Sequence, residues 1–423
     1  MDSRPISHTA LVTERVTYRQ VLGVREFLAI AVSQGLSILG DQVARIAVAL
    51  LVYARSHSAL ATAATYACSY LPGLLGGPVL SALADRYRRR TIMVVCDLVR
   101  TVLVLLLVLP HVPLLAVFAV LVLVELLAPP FNAARAGTLP DVLPGEQYIV
   151  GNAVLNVVFQ GALVLGFVAG GLLVATLSTR GALAVDAATF ALSTVTVLLG
   201  VRDRPAAQDA ASRGSLLGDT AAGVRAVRSE PLLVRLLTLA VLGVAVGVAP
   251  EGLAVPVASS LHGGEVAAGV LTACVPAGFL LGSVAVLRVP AERRVRLLPR
   301  LVALSCVPLL LTPLVYSLPV VALLWFVAGT GTAAQLIASA AYVQACPTEI
   351  RSRAYGLAGT AIVGVQGLAL LVSGAMSEAV GAAGAIAGLA LLVLLLLPLA
   401  VRGTRPSRGR AQVPLGIVRE AQG

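Results

Sequence analysis

Five ionisable side chains, Asp41, Arg45, Glu125, Asp186 and Glu251, interrupt otherwise apolar stretches of this 423-residue chain. The stretches are rich in Ala, Val, Leu and Gly and run about 20 residues each, the length a helix needs to cross the hydrocarbon core of a bilayer. A charge near the midplane costs roughly 2.5–3.5 kcal/mol even on the most lenient insertion scale. A chain that keeps several is expected to move a solute or a proton past them. The expected chemistry is passage rather than bond-making, because no Ser/His/Asp, metal or nucleotide constellation is legible. An enzyme is not expected, and neither a cofactor nor a metal is implied.

Composition points the same way. Hydrophobic residues make up 58% of the chain and charged residues only 12%, more apolar surface than soluble cores could hide. All 31 basic residues are arginines. With no lysine there is no P-loop lysine and no Schiff base to a retinal or pyridoxal group. The net charge of +11 does not argue for nucleic acid, since the arginines sit in short loops between apolar spans rather than on one basic surface. Cys68, Cys96, Cys274, Cys306 and Cys346 lack C-x-x-C spacing and read as small hydrophobes. The N-terminus lacks the short apolar core and cleavage site of a signal peptide.

The elements that must carry the five charges are twelve spans, near 27–53, 59–82, 91–110, 112–133, 148–176, 181–200, 232–257, 265–287, 297–316, 318–343, 355–378 and 381–401. The expected fold class is therefore an all-α polytopic membrane protein, with twelve transmembrane helices in two pseudo-symmetric six-helix bundles. Residues 1–26 form a tail, 27–200 the first bundle, 201–231 a charged linker, 232–402 the second bundle and 403–423 a second tail. Residues 1–20 and the C-terminal tail are expected to be poorly ordered. With the N-terminus inside, every arginine but Arg45, Arg55 and Arg180 falls in the cytoplasm or at its edge, so both termini are expected there. Three of the four histidines, His57, His111 and His262, fall in the outer loops. The arginine-only basic set suggests a high-GC bacterium, and hence a bacterial plasma membrane.

The two halves echo each other. The run Ser69 to Arg90 parallels Cys274 to Arg294, and Asp41 and Glu251 precede the two arginine-rich loops at similar intervals. Such repeats are related by an axis along the membrane normal, with a site at their interface near the midplane.

On these residues the chain resembles the major facilitator superfamily, and more narrowly the drug:proton antiporter branch (DHA3 type) of actinobacteria. SALADRYRRR, Ser81 to Arg90, is similar to the loop motif between the second and third spans, with Ser81 and Arg88 where the family has glycines. PPFNAARAGTLPDVLP, Pro129 to Pro144, resembles a segment of the branch after the fourth span. GFVAGG, Gly166 to Gly171, is similar to the antiporter motif of the fifth span, with Phe167 at its usual proline. The EGLAVP run at Glu251 and the VQGLALLVSG run of the eleventh span also look like this branch.

The resemblance implies roles. Spans one, four, seven and ten would line a central cavity, holding Asp41, Arg45, Glu125, Glu251 and Gln335. Asp85, Arg86, Arg89 and Arg90 would form a cytoplasmic latch between the halves, with Asp97 and Arg100 joining the same network; the alternative is that the arginines only set topology. Asp41 and Arg45 are four apart, share a helix face and can neutralise one another. Glu125 and Glu251 have no cation on their own helix, and desolvation would oppose their ionisation, as reversible protonation requires. Glu251 and Asp41 would form the coupling core, with Glu125 competing for Arg45, unless these are static ion pairs. Asp186, toward the outer end beside Arg180, reads as structural. In the fifth span Gly166, Gly170 and Gly171 would allow close packing or gating. Asn152, Asn156 and Gln160 recur every four residues and make one polar stripe, facing protein or cavity.

The expected activity is proton-coupled efflux of a lipophilic or amphipathic small molecule by alternating access, through walls of mostly Ala, Val, Leu and Gly with few aromatics. The implied partners are that substrate, protons and the bilayer, with no nucleic acid and a monomeric state. The rivals are a proton symporter or facilitator importing a small solute, and a non-transporting receptor or lipid-handling protein.

Overall fold

The computed structural model describes residues 17–81, 86–204, 225, 227, 228, 230–346 and 351–402. The described chain is helical throughout, without strands. Thr17 caps a short helix, α1 (Tyr18–Leu22), whose Val21 is buried against the arginine-rich end of the first half, so part of the expected tail is ordered. The remaining helices are α2 (Arg25–Ser56), α3 (Ala59–Ser81), α4 (Arg89–Val108), α5 (Leu114–Leu126), α6 (Ala128–Val142), α7 (Glu146–Gly200), α8 (Pro231–Ser260), α9 (Gly264–Leu287), α10 (Ala291–Leu310), α11 (Leu318–Thr332), α12 (Ala334–Ala345), α13 (Arg351–Val380) and α14 (Ala382–Arg402).

Ten helical segments are long and apolar enough to cross a membrane. One is the 55-residue α7, which as a straight helix would be about 80 Å long, against a core of about 30 Å. It turns back at Ser178, whose φ of 69° and ψ of 168° break the helix, so it supplies spans five and six. With α3 as span two, twelve crossings follow. The fold is that of an all-α polytopic membrane protein.

Two spans are discontinuous. Span four breaks at Leu127, where Pro129 and Pro130 withdraw backbone donors, and continues as α6. Span ten breaks at Ala333, after the sequence Gly329-Thr330-Gly331-Thr332. The two occupy equivalent places, six spans apart. Discontinuous helices at matching positions of two repeats mark the binding region of many transporters.

Contacts between the halves obey the same symmetry. Span two packs on span eleven, and span five on span eight, two pairs exchanged by a six-span shift. Gly171 and Gly269 let spans five and eight touch at the end carrying His57, His111 and His262. A Cβ on Gly171 would come within 2.6 Å of the Glu265 carbonyl, and one on Gly269 within 2.6 Å of the Phe167 carbonyl. Beside them Glu378, at the end of α13, accepts hydrogen bonds from the Ser58 hydroxyl (2.8 Å) and the Leu60 N–H (3.1 Å). The histidine end is thus closed by contacts between the halves.

Span three shows how the bilayer sets the outer surface. Met93, Asp97, Arg100, Val104 and Leu107 are buried at a 4-3-4-3 spacing, while Leu98, Val102, Leu105 and Leu109 are exposed on the opposite face. Polar groups face protein and apolar groups face lipid.

Candidate functional site

A cavity of about 760 Å³ lies between the halves. Its walls come from spans one, three, four, five, seven, eight and ten, with Tyr70 of span two and Gln366 of span eleven. They run from Asp41 and Glu251 near mid-span toward Arg135 and Ser339, nearer the arginine-rich end.

The structure brings all five expected cavity residues together: Asp41, Arg45, Glu125, Glu251 and Gln335 line this one space. Their pairing differs from the expectation. Arg45 does not neutralise Asp41 on its own helix. Its Nη2 reaches across to Glu125 Oε1 at 2.9 Å, and its Nη1 donates to Gln42 Oε1 at 3.4 Å. Asp41 makes no ion pair or hydrogen bond among the described residues. Sharing a face on one helix permits a contact, but the partner on span four offers the better approach. Glu251 accepts a 3.3 Å hydrogen bond from the Tyr70 hydroxyl, a link from the second half to the first. Pro250 deletes one rung of the helix ladder just before Glu251.

Several wall residues escaped the sequence reading. Arg135 was expected in a cytoplasmic loop just past span four and Asn132 in that span without a role, yet α6 is helical and carries both into the cavity. Glu125, Ala128, Asn132 and Arg135 recur at helical spacing across the Leu127 break, a signal that could have found them. Tyr70, Arg100 and Gln366 had no such signature. The wall is also more polar and aromatic than expected, with Asn132, Gln160, Gln335 and Gln366 beside Tyr70, Phe131, Phe159 and Phe279.

The helix-five residues divide. Gln160 faces the cavity, while the side-chain amides of Asn152 and Asn156 donate to Tyr148 and Asn152 carbonyls on their own helix. The expected single stripe therefore ends at Gln160. Gly166 lies against Leu39 and Gln42 of span one and Gly170 against Val43, where a Cβ would stand 2.8 and 3.1 Å from the nearest atoms.

Of the expected latch, Asp85 lies outside the described residues, and Arg86 is exposed. Arg89 donates to the Gly137 carbonyl (2.5 Å) and Asp141 (2.8 Å), Arg90 to the Leu198 carbonyl, and Arg88 pairs with Asp203. These partners belong to the first half or, for Asp203, to the start of the linker, so in this conformation the described arginines do not bridge to the second half. Asp97 and Arg100 do not join them. Both are buried, with Asp97 accepting a 2.5 Å hydrogen bond from Ser193 and Arg100 Nη1 standing 3.8 Å from Asp97. Asp186, expected near the outer end beside Arg180, is 1% exposed with its carboxylate toward Gly40 of span one, while Arg180 is exposed.

The model of the Major Facilitator Superfamily matches residues 30–303. The chain belongs to the major facilitator superfamily. It is 28% identical over 191 residues to the uncharacterized MFS-type transporter YfiS of Bacillus subtilis (strain 168), a match spanning 45% of each chain. A variant of the nucleoside transporter NupG superimposes with a TM-score of 0.73 at 12% identity, covering 89% of this chain and 99% of that one. A bacterial homologue of the human lysosomal transporter Spinster, inward-facing and unoccupied, gives 0.70 at 14% identity, covering 92% and 97%. A POT family transporter in complex with 5-aminolevulinic acid gives 0.71 at 11% identity, covering 89% and 95%. At these identities the likeness concerns the fold. This superfamily member is a membrane transporter rather than an enzyme.

Proposed function

We propose that the protein is a proton-coupled exporter of an amphipathic small molecule, working by alternating access in a bacterial plasma membrane as one of the drug:proton antiporters. The observation that carries this reading is the arrangement of three carboxylates around one cavity. Glu125 is held by Arg45, Glu251 by a tyrosine hydroxyl, and Asp41 by neither. Protonating Glu125 would release Arg45, and a substrate bearing a basic group would compete with protons for Asp41 and Glu251. Closure at the histidine end and a cavity extending toward the arginine-rich end describe a loading state, with that end cytoplasmic by the positive-inside rule. Phe131, Phe159 and Phe279 offer apolar area, while the amides orient the polar part of a ligand. As a monomer the chain would contain the whole pathway.

One observation favours a second reading. Five amides on the wall, Gln42, Asn132, Gln160, Gln335 and Gln366, suit a solute that needs several hydrogen bonds, such as a nucleoside, taken up with protons. Proteoliposomes under an imposed pH gradient separate the two. Export predicts gradient-dependent movement of ethidium, a lipophilic cationic dye, and lower dye retention in expressing cells. Higher retention on expression, or nucleoside uptake without dye movement, would overturn it. A receptor would show neither flux.

A further inference from the structure

The export reading leaves one buried acid without a task. Asp186 is 1% exposed, and neither of its carboxylate oxygens has a hydrogen-bond partner among the described residues. On its own helix the Thr189 hydroxyl is committed to the Asp186 backbone carbonyl at 2.7 Å. Elements α2 and α4 pack against this part of the chain. The charged groups near it are Asp41 on α2, next to Gly40, and Arg100 on α4, with Asp97 beside Arg100. Arg100 is engaged elsewhere: besides Asp97, its Nε donates to the Val124 carbonyl at 3.3 Å. The rings of Phe131 and Phe190 lie 5.7 and 5.4 Å from its guanidinium carbon. Keeping an ionised carboxylate in so dry a place, with the Thr189 hydroxyl close by but no cation of its own, is costly.

Its position makes this more than a static acid. The carboxylate packs on the backbone of span one at Gly40 together with the Thr189 hydroxyl: a Cβ there would fall 2.0 Å from Thr189 Oγ1 and 2.4 Å from Asp186 Oδ1. The next residue along, Asp41, lines the cavity, so Asp186 sits one residue behind the wall. No hydrogen bond locks a proton on it, and Arg100 is a charged neighbour of both acids.

We infer that Asp186 is a second proton-carrying carboxylate behind the cavity wall, loaded and unloaded through Asp41. The step is one proton passing from the Asp41 carboxylic acid to the Asp186 carboxylate, leaving Asp41 ionised beside the cavity, and the reverse. One negative charge moves between the two positions, in the field of Arg100 throughout. Its part in transport rests on the export reading, whereas the proton exchange itself can be measured without any substrate.

Infrared difference spectra of the purified full-length protein in lipid, taken between mildly acidic and mildly alkaline buffer, test it. A carboxylic-acid carbonyl band should appear and vanish reversibly, shift in D₂O, and be lost in Asp186→Asn. In Asp41→Asn its titration should slow severalfold or cease. If Asp186→Asn does not fold, Asp186→Ser removes the same band. A band assigned to Asp186 that ignores pH would make it a static neutral acid and overturn the inference, as would spectra unchanged by either variant. A titrating band without gradient-driven flux in liposomes would sink the export reading alone; a pH-blind band with normal flux would sink only this one.

Discussion

The two halves of the molecule divide the labour unequally. Within residues 27–200 the membrane interior holds Asp41, Arg45, Asp97, Arg100, Glu125 and Asp186, and the interior of 232–402 holds Glu251. The cavity amides come from both halves, Gln42, Asn132 and Gln160 from the first and Gln335 and Gln366 from the second, which also supplies close-packed apolar surfaces. A charge inside a bilayer is kept only where a neighbour or a function compensates it. On the export reading, this asymmetry of charge would put proton chemistry mainly in the first half, with both halves gripping substrate. The Tyr70–Glu251 hydrogen bond is where the two meet.

The most direct way to break this picture is to silence Glu251, the acid that the second half brings to the cavity. Glu251→Gln should reduce pH-gradient-driven flux in proteoliposomes at least tenfold, with insertion and yield unchanged. Full activity would remove Glu251 from coupling. Next in size is the ion pair of the first half. Arg45→Ala should lower thermal stability by roughly 3 kcal/mol or less, because it strands a mostly buried carboxylate whose remaining exposure to water softens the loss. Adding Glu125→Gln should recover most of that; an additive double mutant would show that the pair is not coupled.

A smaller effect is expected where the halves touch. Gly171→Val cannot fit against the Glu265 carbonyl, so the histidine end should spend more time open. Labelling of a cysteine introduced at His57 should rise severalfold from the outside, and unchanged labelling would show that the contact does not gate. Glu378→Gln weakens the Ser58 and Leu60 contacts from the second half, and should raise the same labelling by a factor of about two, as for a lost helix-cap acceptor. The smallest change is expected at Asn156→Ala. Its amide bonds only its own helix, so flux should stay within experimental scatter, in contrast to Gln160→Ala on the cavity wall.

Much of this was legible before any coordinates. Asp41, Arg45, Glu125, Glu251 and Gln335 could be assigned to one cavity because the family resemblance states which spans line it and hydropathy states which span each residue is on. What failed was the partner of each charge. Arg45 was matched to Asp41 by spacing along one helix, yet it meets Glu125 across eighty positions of sequence. Asp97 and Arg100 were drawn toward the loop arginines because they stand near them in sequence, but the rotation of span three turns both inward, Asp97 to Ser193 and Arg100 to the Val124 carbonyl. Arg135 was expected in a loop because the apolar run of span four ends near residue 133, whereas the helix continues to Val142.

The sequence by itself determined the number of crossings, the side on which arginine collects and the depth of each ionisable group. These follow from transfer energies that add residue by residue along a segment. Only the tertiary structure decided which acid pairs with Arg45, which side chains close on Gly40, and that Asp186 lies buried against span one next to the position of Asp41. Lipid tails and a protein interior of Ala, Val and Leu are equally apolar, so composition alone leaves the rotation of each helix open. That angle is settled by how closely neighbouring backbones can approach and by which polar groups find one another when they do.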